Sequence, residues 1–303
     1  MSAGTLPFDP NAPLVASGNL RRRHAVSRLA TGGATAAAFF AVVVLGILIF
    51  SVAQRGAGAL SWDFFTKSPP LFGGPGGGIA PMIVGTAIIV GVATLIAAPL
   101  GILVAIFLVE FAPPWLARPI QLLLDLLNGM PSIIIGLFVF GLLVAGHHQS
   151  GFAGAVALSI IMLPLVARST QEILLLQPAA MRDAADALGV SRWRAVIGVV
   201  LPSAAGGIVT GTVLAIARAA GETAPLLFAS SIFANTVSVD LFGANRQGLP
   251  NIPVMIFTLS DQPDPAGHER AWGAALVLLA FILIANIVAR TLLARSQRKL
   301  NRT

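Results

Sequence analysis

Residues 68–109 contain no Asp, Glu, Lys or Arg, and neither do residues 29–54. Apolar runs of this length exceed the roughly 20 residues that a helix needs to cross the hydrocarbon of a bilayer. The first run is too long for the core of a signal peptide and reads as a retained span. Comparable runs place further spans at about 80–109, 119–144, 151–172, 203–232 and 271–292. The period-two alternation of a β-barrel strand is absent, so helices are the one solution that satisfies the backbone in lipid. The expected fold class is an all-α membrane protein with six transmembrane helices.

Composition supports this reading. Of 303 residues, 56% are hydrophobic and 10% charged, against about 25% charged in a soluble domain. A net charge of +7 would suggest nucleic acid in a soluble protein. Here the basic residues flank apolar runs, which is the mark of membrane orientation and gives no reason to expect a nucleic-acid partner. With the N-terminus inside, fourteen of the nineteen basic residues are cytoplasmic: Arg21, Arg22, Arg23, Arg28, Arg118, Arg168, Arg182, Arg192, Arg194, Arg290, Arg295, Arg298, Lys299 and Arg302. Arg55, Lys67, Arg246 and Arg270 fall outside, and Arg218 lies within a span. Both termini are thus expected in the cytoplasm of a multi-pass cell-membrane protein. Residues 1–28, with Pro7, Pro10 and Pro13, read as a flexible tail, 29–292 as the six-span domain, and 293–303 as a basic tail. Trp62, Trp115 and Trp272 fall near span ends, as interfacial anchors do.

Several chemistries find no support. With no cysteine there is no disulfide, thiolate metal site or Cys nucleophile. The GGPGGG run at 73–78 lacks the Gly-Lys-Ser/Thr that follows a phosphate-cradling loop, and no Walker motif occurs. ATP, if used, is handled by another chain. His147 and His148 are adjacent in an external turn and do not make a metal-ligand set. Ser132 and Ser203 have no His/Asp partner in sight, so a hydrolase triad is not indicated. Gly207 and Gly211 form a small-xxx-small pair suited to close helix packing. Pro99, Pro131, Pro164 and Pro225 interrupt spans, where prolines free carbonyls.

One polar island stands among the apolar runs, residues 182–202, RDAADALGVSRWRAVIGVVLP. It reads as a short helix at about 180–188, a glycine stop at Gly189, and the beginning of another span. Arg182, Asp183 and Asp186 are assigned to its wet side, with Ala184, Ala185 and Leu188 available for contact. The spacing is acidic-Ala-Ala at Asp183, Ala184 and Ala185, then Gly189, Val199, Leu201 and Pro202. It resembles the EAA loop of ABC-transporter membrane subunits, with Asp183 for the usual Glu and Val199 for the usual Ile. That resemblance implies that the cytoplasmic segment 177–202 docks on a separate ATPase and transmits its closure.

The remaining charges worth notice lie in lipid. An arginine at mid-bilayer costs about 2.5–3.5 kcal/mol on insertion scales, so Arg218 must face protein or water. Glu222 follows four residues later, a spacing that places both on one helix face. The pair either locks two helices or lines an anion path, because guanidinium matches oxyanion geometry bidentately. In the second case Glu222 would favour an anion that still carries a proton. Arg168, near Glu172, is an inside-positive anchor or a low-ranked pathway residue, and Asp125 pairs with an arginine or lines the inner mouth. Asp261, Asp264, His268 and Glu269 read as solvated charges of an external loop.

The run Arg218-Ala-Ala-Gly-Glu-Thr-Ala-Pro-Leu-Leu, with Thr223 inside it, resembles the fifth-span signature of phosphate ABC-transporter permeases of the PstA type. Asn128-Gly-Met-Pro-Ser-Ile with Gly136 resembles their third-span segment. Together with the EAA loop the resemblance covers roughly residues 80–230. It implies the type I, MetI-like permease architecture and a non-catalytic subunit of an ATP-driven phosphate importer, which binds no cofactor itself. The implied partners are a PstC-type permease, two PstB-type ATPases using ATP and Mg, and a PstS-type phosphate-binding protein. Rival readings are a permease for sulfate or molybdate, a secondary transporter driven by an ion gradient, and an intramembrane enzyme. Residues 1–28 and the loop 233–270 carry no legible motif.

Overall fold

The computed structural model describes residues 18–70, 73–230, 237–243 and 248–300. The chain divides into two units, Met1–Ser51 and Val52–Thr303. Helix α1 (Gly18–Gly56) supplies the described part of the first unit. It begins well before the expected span start at 29, because the intervening residues contain no proline or other breaker. Its apolar side chains, among them Phe39, Phe40 and Ile47, are exposed along the helix. An all-round apolar surface of this kind suits lipid.

The second unit is entirely helical in its regular elements among the described residues. After α2 (Trp62–Thr66) come α3 (Ala80–Phe111), α4 (Pro114–Gly129), α5 (Ser132–Val144) and α6 (Gly151–Leu175). The short α7 (Ala179–Ala187) leads into α8 (Arg192–Ala219), followed by α9 (Ala224–Ala229), α10 (Ile252–Ser260) and α11 (Pro265–Leu300). Among the described residues five helices are long and apolar enough to cross a membrane, or six if the bent pair α4–α5 counts as one span.

The core is built on α3 and α6, the most extensive helix pair, with α8 packed on α6 and α11 on α8. Along α3 the buried residues Ile89, Ala93, Ala97, Gly101 and Ala105 recur every fourth position. They form one stripe that lets backbones approach. Gly101 meets Val166 of α6, and Gly207 and Gly211 of α8 lie against Ile173 and Ser169 of α6. The expected small-residue pair therefore does join two helices.

Two of the expected spans are drawn differently by the structure. The span expected at 119–144 is two segments meeting at 98°. Pro131 explains the elbow: it holds the preceding Met130 in extended backbone (φ −70°, ψ 137°), which ends α4 at Gly129. The span expected at 203–232 starts instead at Arg192 and stops at Ala219. Leu201 and Pro202, expected in the docking loop, are thus inside a helix. Pro202 has no N–H for the carbonyl of Gly198, and the widened π-helical turn Val196–Val200 just ahead of it absorbs the mismatch. Residues 231 and 232 lie outside the described residues, as does Arg246.

Part of the segment 233–270, which carries no legible motif, lies among the described residues. Asn251 caps α10 by accepting from the Val254 amide at 3.0 Å, and Thr86 Oγ1 accepts from the Ile252 amide at 2.9 Å. Asp264, expected to be solvated, forms a clasp on the glycine loop together with Arg270. Arg270 is buried and donates from Nη1 to the carbonyls of Gly74 (2.7 Å) and Gly76 (2.8 Å). Both glycines have positive φ, which turns these carbonyls toward one guanidinium. Asp264 accepts from the amides of Gly74, Ala266 and Gly267.

The Gly74 amide, ahead of the other two amides and Arg270, holds the Asp264 carboxyl below its ordinary value. Its contribution to the clasp is therefore complete above the ordinary carboxylate range and is lost as pH falls through the lowered folded value. A spin label on Pro75→Cys should be more mobile in an Asp264→Ala background at pH 7. Electron paramagnetic resonance should show that difference shrinking as the pH drops below the ordinary carboxylate range.

Candidate functional site

Two charged centres lie on α8 and its flanks. The first is at its C-terminal end. Arg218 occupies the last turn of α8, and Glu222 falls in the break that follows, not on a continuing helix face as the spacing had suggested. Pro225 favours the break, because it cannot bond the carbonyl of Gly221 and suits the first turn of the helix that restarts at Ala224, whereas Pro99 and Pro164, also expected to interrupt spans, are carried inside α3 and α6. Arg218 Nε and the Glu222 carboxylate are 3.8 Å apart, an ion pair without a hydrogen bond. Arg218 is 58% exposed and Glu222 19%. Thr223 is the residue before α9 and makes no side-chain cap.

The break is held from three sides. Gln149 donates to the Leu227 and Phe228 carbonyls, satisfying the end of the six-residue α9. Ser230 donates its hydroxyl to the Leu249 carbonyl. Gly136 of α5 lies so close to Pro225 that a Cβ there would sit 2.7 Å from the proline Cα. An apolar cavity of about 550 Å³ lies nearby between α3, α8, α10 and α11, lined by Val90, Leu95, Ile216 and Phe281. None of its lining residues is charged.

The second centre is at the other end of α8. Helix α7 spans Ala179–Ala187, close to the expected short helix, and Gly189 follows with φ +70°, the left-handed stop that glycine allows. Asp183, Ala184, Asp186 and Leu188 are exposed, and Ala185 is buried. Arg182 departs from the expectation. Instead of facing water it donates to Glu110 from Nη2 (2.7 Å) and Nε (3.0 Å). It also donates to the carbonyls of Leu174 (3.1 Å) and Gln177 (3.2 Å). Glu110 is 2% exposed and closes the π-helical end of α3. Sequence reasoning missed it because nothing local distinguishes a buried carboxylate at the end of a span from one in water.

Arg168 pairs with Asp125 of α4 at 3.2 Å and contacts Gln171 at 3.4 Å. Both charges are about half exposed, so this pair ties α4 to α6 at a modest gain, about 0–1 kcal/mol. It does not reach toward Glu172 as the spacing had suggested, and no contact brings it to Arg218.

A multi-pass helical membrane protein with the bent helix pair α4–α5 and a short polar helix between two long apolar ones has known counterparts. The fold matches a chain of the inward-facing MetNI methionine ABC transporter, with TM-score 0.56 and 17% identity, over 71% of this chain and 95% of that one. It also matches a chain of the bacterial alginate ABC transporter, with TM-score 0.58 and 14% identity, over 93% and 97%. The chain belongs to the family of binding-protein-dependent transport system inner membrane components, whose pattern matches residues 97–302. Among its curated relatives is the phosphate transport system permease protein PstA of Yersinia pestis, 37% identical over 91% of this chain and 92% of the relative. The protein of the same name from Pasteurella multocida is 39% identical over 84% and 89%. PstA 1 of Mycobacterium tuberculosis is 40% identical over 70% and 69%.

The close approach at Gly136 yields a direct test of how the break is positioned. Gly136→Val should destabilise the protein by roughly 1–3 kcal/mol, the usual cost of overpacking. Gly91→Ala, at a position where an added Cβ meets nothing within 4 Å, should leave the melting temperature in detergent unchanged.

Proposed function

We propose that this chain is the permease subunit of an ATP-driven phosphate importer, forming half of the translocation path. In this reading it hydrolyses nothing itself and binds no cofactor. It pairs with a PstC-type permease, two PstB-type ATPases engage the segment 177–202, and a PstS-type binding protein delivers phosphate from outside. Arg218 is the pathway cation, with Glu222 and Thr223 beside it in the break of the fifth span.

The observation that carries this proposal is the state of Arg218. It is a largely exposed guanidinium at the broken end of an apolar helix, held by its carboxylate neighbour only at 3.8 Å. Its donors are not consumed by Glu222, so they remain able to take the two oxygens of a passing oxyanion. A pairing this loose can be exchanged for substrate and reformed, which suits passage better than tight binding. Glu222 repels a fully ionised anion and accepts a hydrogen bond from one that still bears a proton, which favours phosphate over sulfate. The names of the curated relatives support the same substrate.

The test is uptake by proteoliposomes holding this chain with candidate partner permease, ATPase and binding protein. Phosphate uptake should require ATP and every component, and excess sulfate should not compete. Arg218→Ala and Glu222→Ala should each lower uptake about tenfold or more, the loss of one charge-assisted contact, with the complex still assembled. Gradient-driven uptake by this chain alone would overturn the reading in favour of a secondary transporter.

A further inference from the structure

Glu110 is absent from every motif that the sequence offers, yet four elements converge on it. It ends α3, and Arg182 of α7 holds both of its oxygens, at 2.7 Å and 3.3 Å through Nη2 and Nε. Through the same guanidinium it is joined to the carbonyl of Leu174 in the last turn of α6 and to that of Gln177 just beyond it. Arg192, at the start of α8, brings a second guanidinium to 3.9 Å. Next to it Phe111 meets Trp193 of α8, with ring centroids 5.8 Å apart.

The rest of α7 is held weakly. Ala185 is its one buried side chain, and a single methyl gives little surface through which a displacement could push on the spans. The Arg182–Glu110 contact is different in kind: a bidentate, charge-assisted pair fixes both distance and orientation. Moreover, α3 and α8 each carry a π-helical turn beside this point, at Phe107–Phe111 and Val196–Val200. Such turns mark places where a helix can shift register. Ala105 and Ile106 of α3 share one buried cluster with Val196 and Val200 of α8 and with Leu174, and Val109 of the α3 turn packs against that cluster.

We infer that Glu110 is a positioning residue for transport: through Arg182 it makes α7 and the cytoplasmic end of α3 move as one body. Displacement of α7 by a docked ATPase then reaches α3 and α8 at their π-helical turns. This rests on the reading that an ATPase engages the segment 177–202. The contact acts on coupling, not on phosphate, which it is not placed to touch.

Two readouts test it on the full complex in proteoliposomes. The first is the ATP hydrolysed per phosphate imported. Glu110→Gln and Arg182→Ala should raise that ratio several-fold with the amount of assembled complex unchanged, and Arg182→Lys, which keeps charge but loses the fork, should give an intermediate value. A parallel fall in both activities, leaving the ratio at the wild-type value, would show a merely structural contact and overturn the inference. Should Glu110→Gln fail to assemble, the ratio for Arg182→Lys decides in the same way.

The second readout needs no phosphate. Because this chain has no cysteine, spin labels on Leu103→Cys and Asp186→Cys, in a complex whose partner chains are made cysteine-free, report the α3–α7 distance alone. With wild-type Glu110 the distance should be narrow and the same with and without trapped nucleotide, and Glu110→Gln should broaden it or make it nucleotide-dependent. An equally narrow, invariant distance in Glu110→Gln would refute the rigid link even if the wild-type complex proved to carry a different anion.

Discussion

A peptide group in hydrocarbon has no water to bond, so each interruption of a helix must find its partners within the protein. The same demand holds wherever backbone is buried from water, inside a span or beyond it, and it accounts for the placement of several long polar side chains in the second unit. Gln149 covers the carbonyls that end α9, Arg182 those of Leu174 and Gln177 at and after the end of α6, and Arg270 those of the glycine loop. On the donor side, Thr86 receives the first amide of α10. The breaks in the spans are therefore supported features, and the support comes from residues remote in sequence.

Proline chemistry decides where the breaks fall. Pro131 turns α4 into α5, Pro225 separates α8 from α9, and Pro202 is carried inside a helix by a widened turn. The three outcomes differ because the neighbours differ. A glycine stands just upstream of each (Gly129, Gly221 and Gly198), but ahead of Pro202 the residues Val196, Val200 and Leu201 pack in a helical cluster that a break would open. Breaking a proline-containing helix is the cheaper course only where little packing is lost by it.

The two ion pairs flanking α8 have opposite characters. Glu110 and Arg182 are close, bidentate and almost removed from water, at 2% and 26% exposure. Removing one partner of a buried pair costs about 3–5 kcal/mol because the other is left unpaired. Such a pair persists through a conformational cycle. Arg218 and Glu222 are farther apart and wetter, so exchanging their contact for another anion costs little. The proposed roles match: a contact that transmits has to stay closed, and one on a substrate path has to open.

The sequence by itself determined the helical membrane class, an expected orientation, and the short helix 179–187 with its glycine stop. These follow from local rules: charge-free length, the distribution of arginine, and the left-handed preference of Gly189. Family membership was equally legible, because it rests on spacing. Only the tertiary structure decided that Arg182 turns inward to Glu110, that Asp264 and Arg270 clasp a loop about 190 residues away, and that Arg168 takes Asp125. A side chain's charge is written in the sequence, but its partner depends on which helix ends are brought together, and no local pattern encodes that.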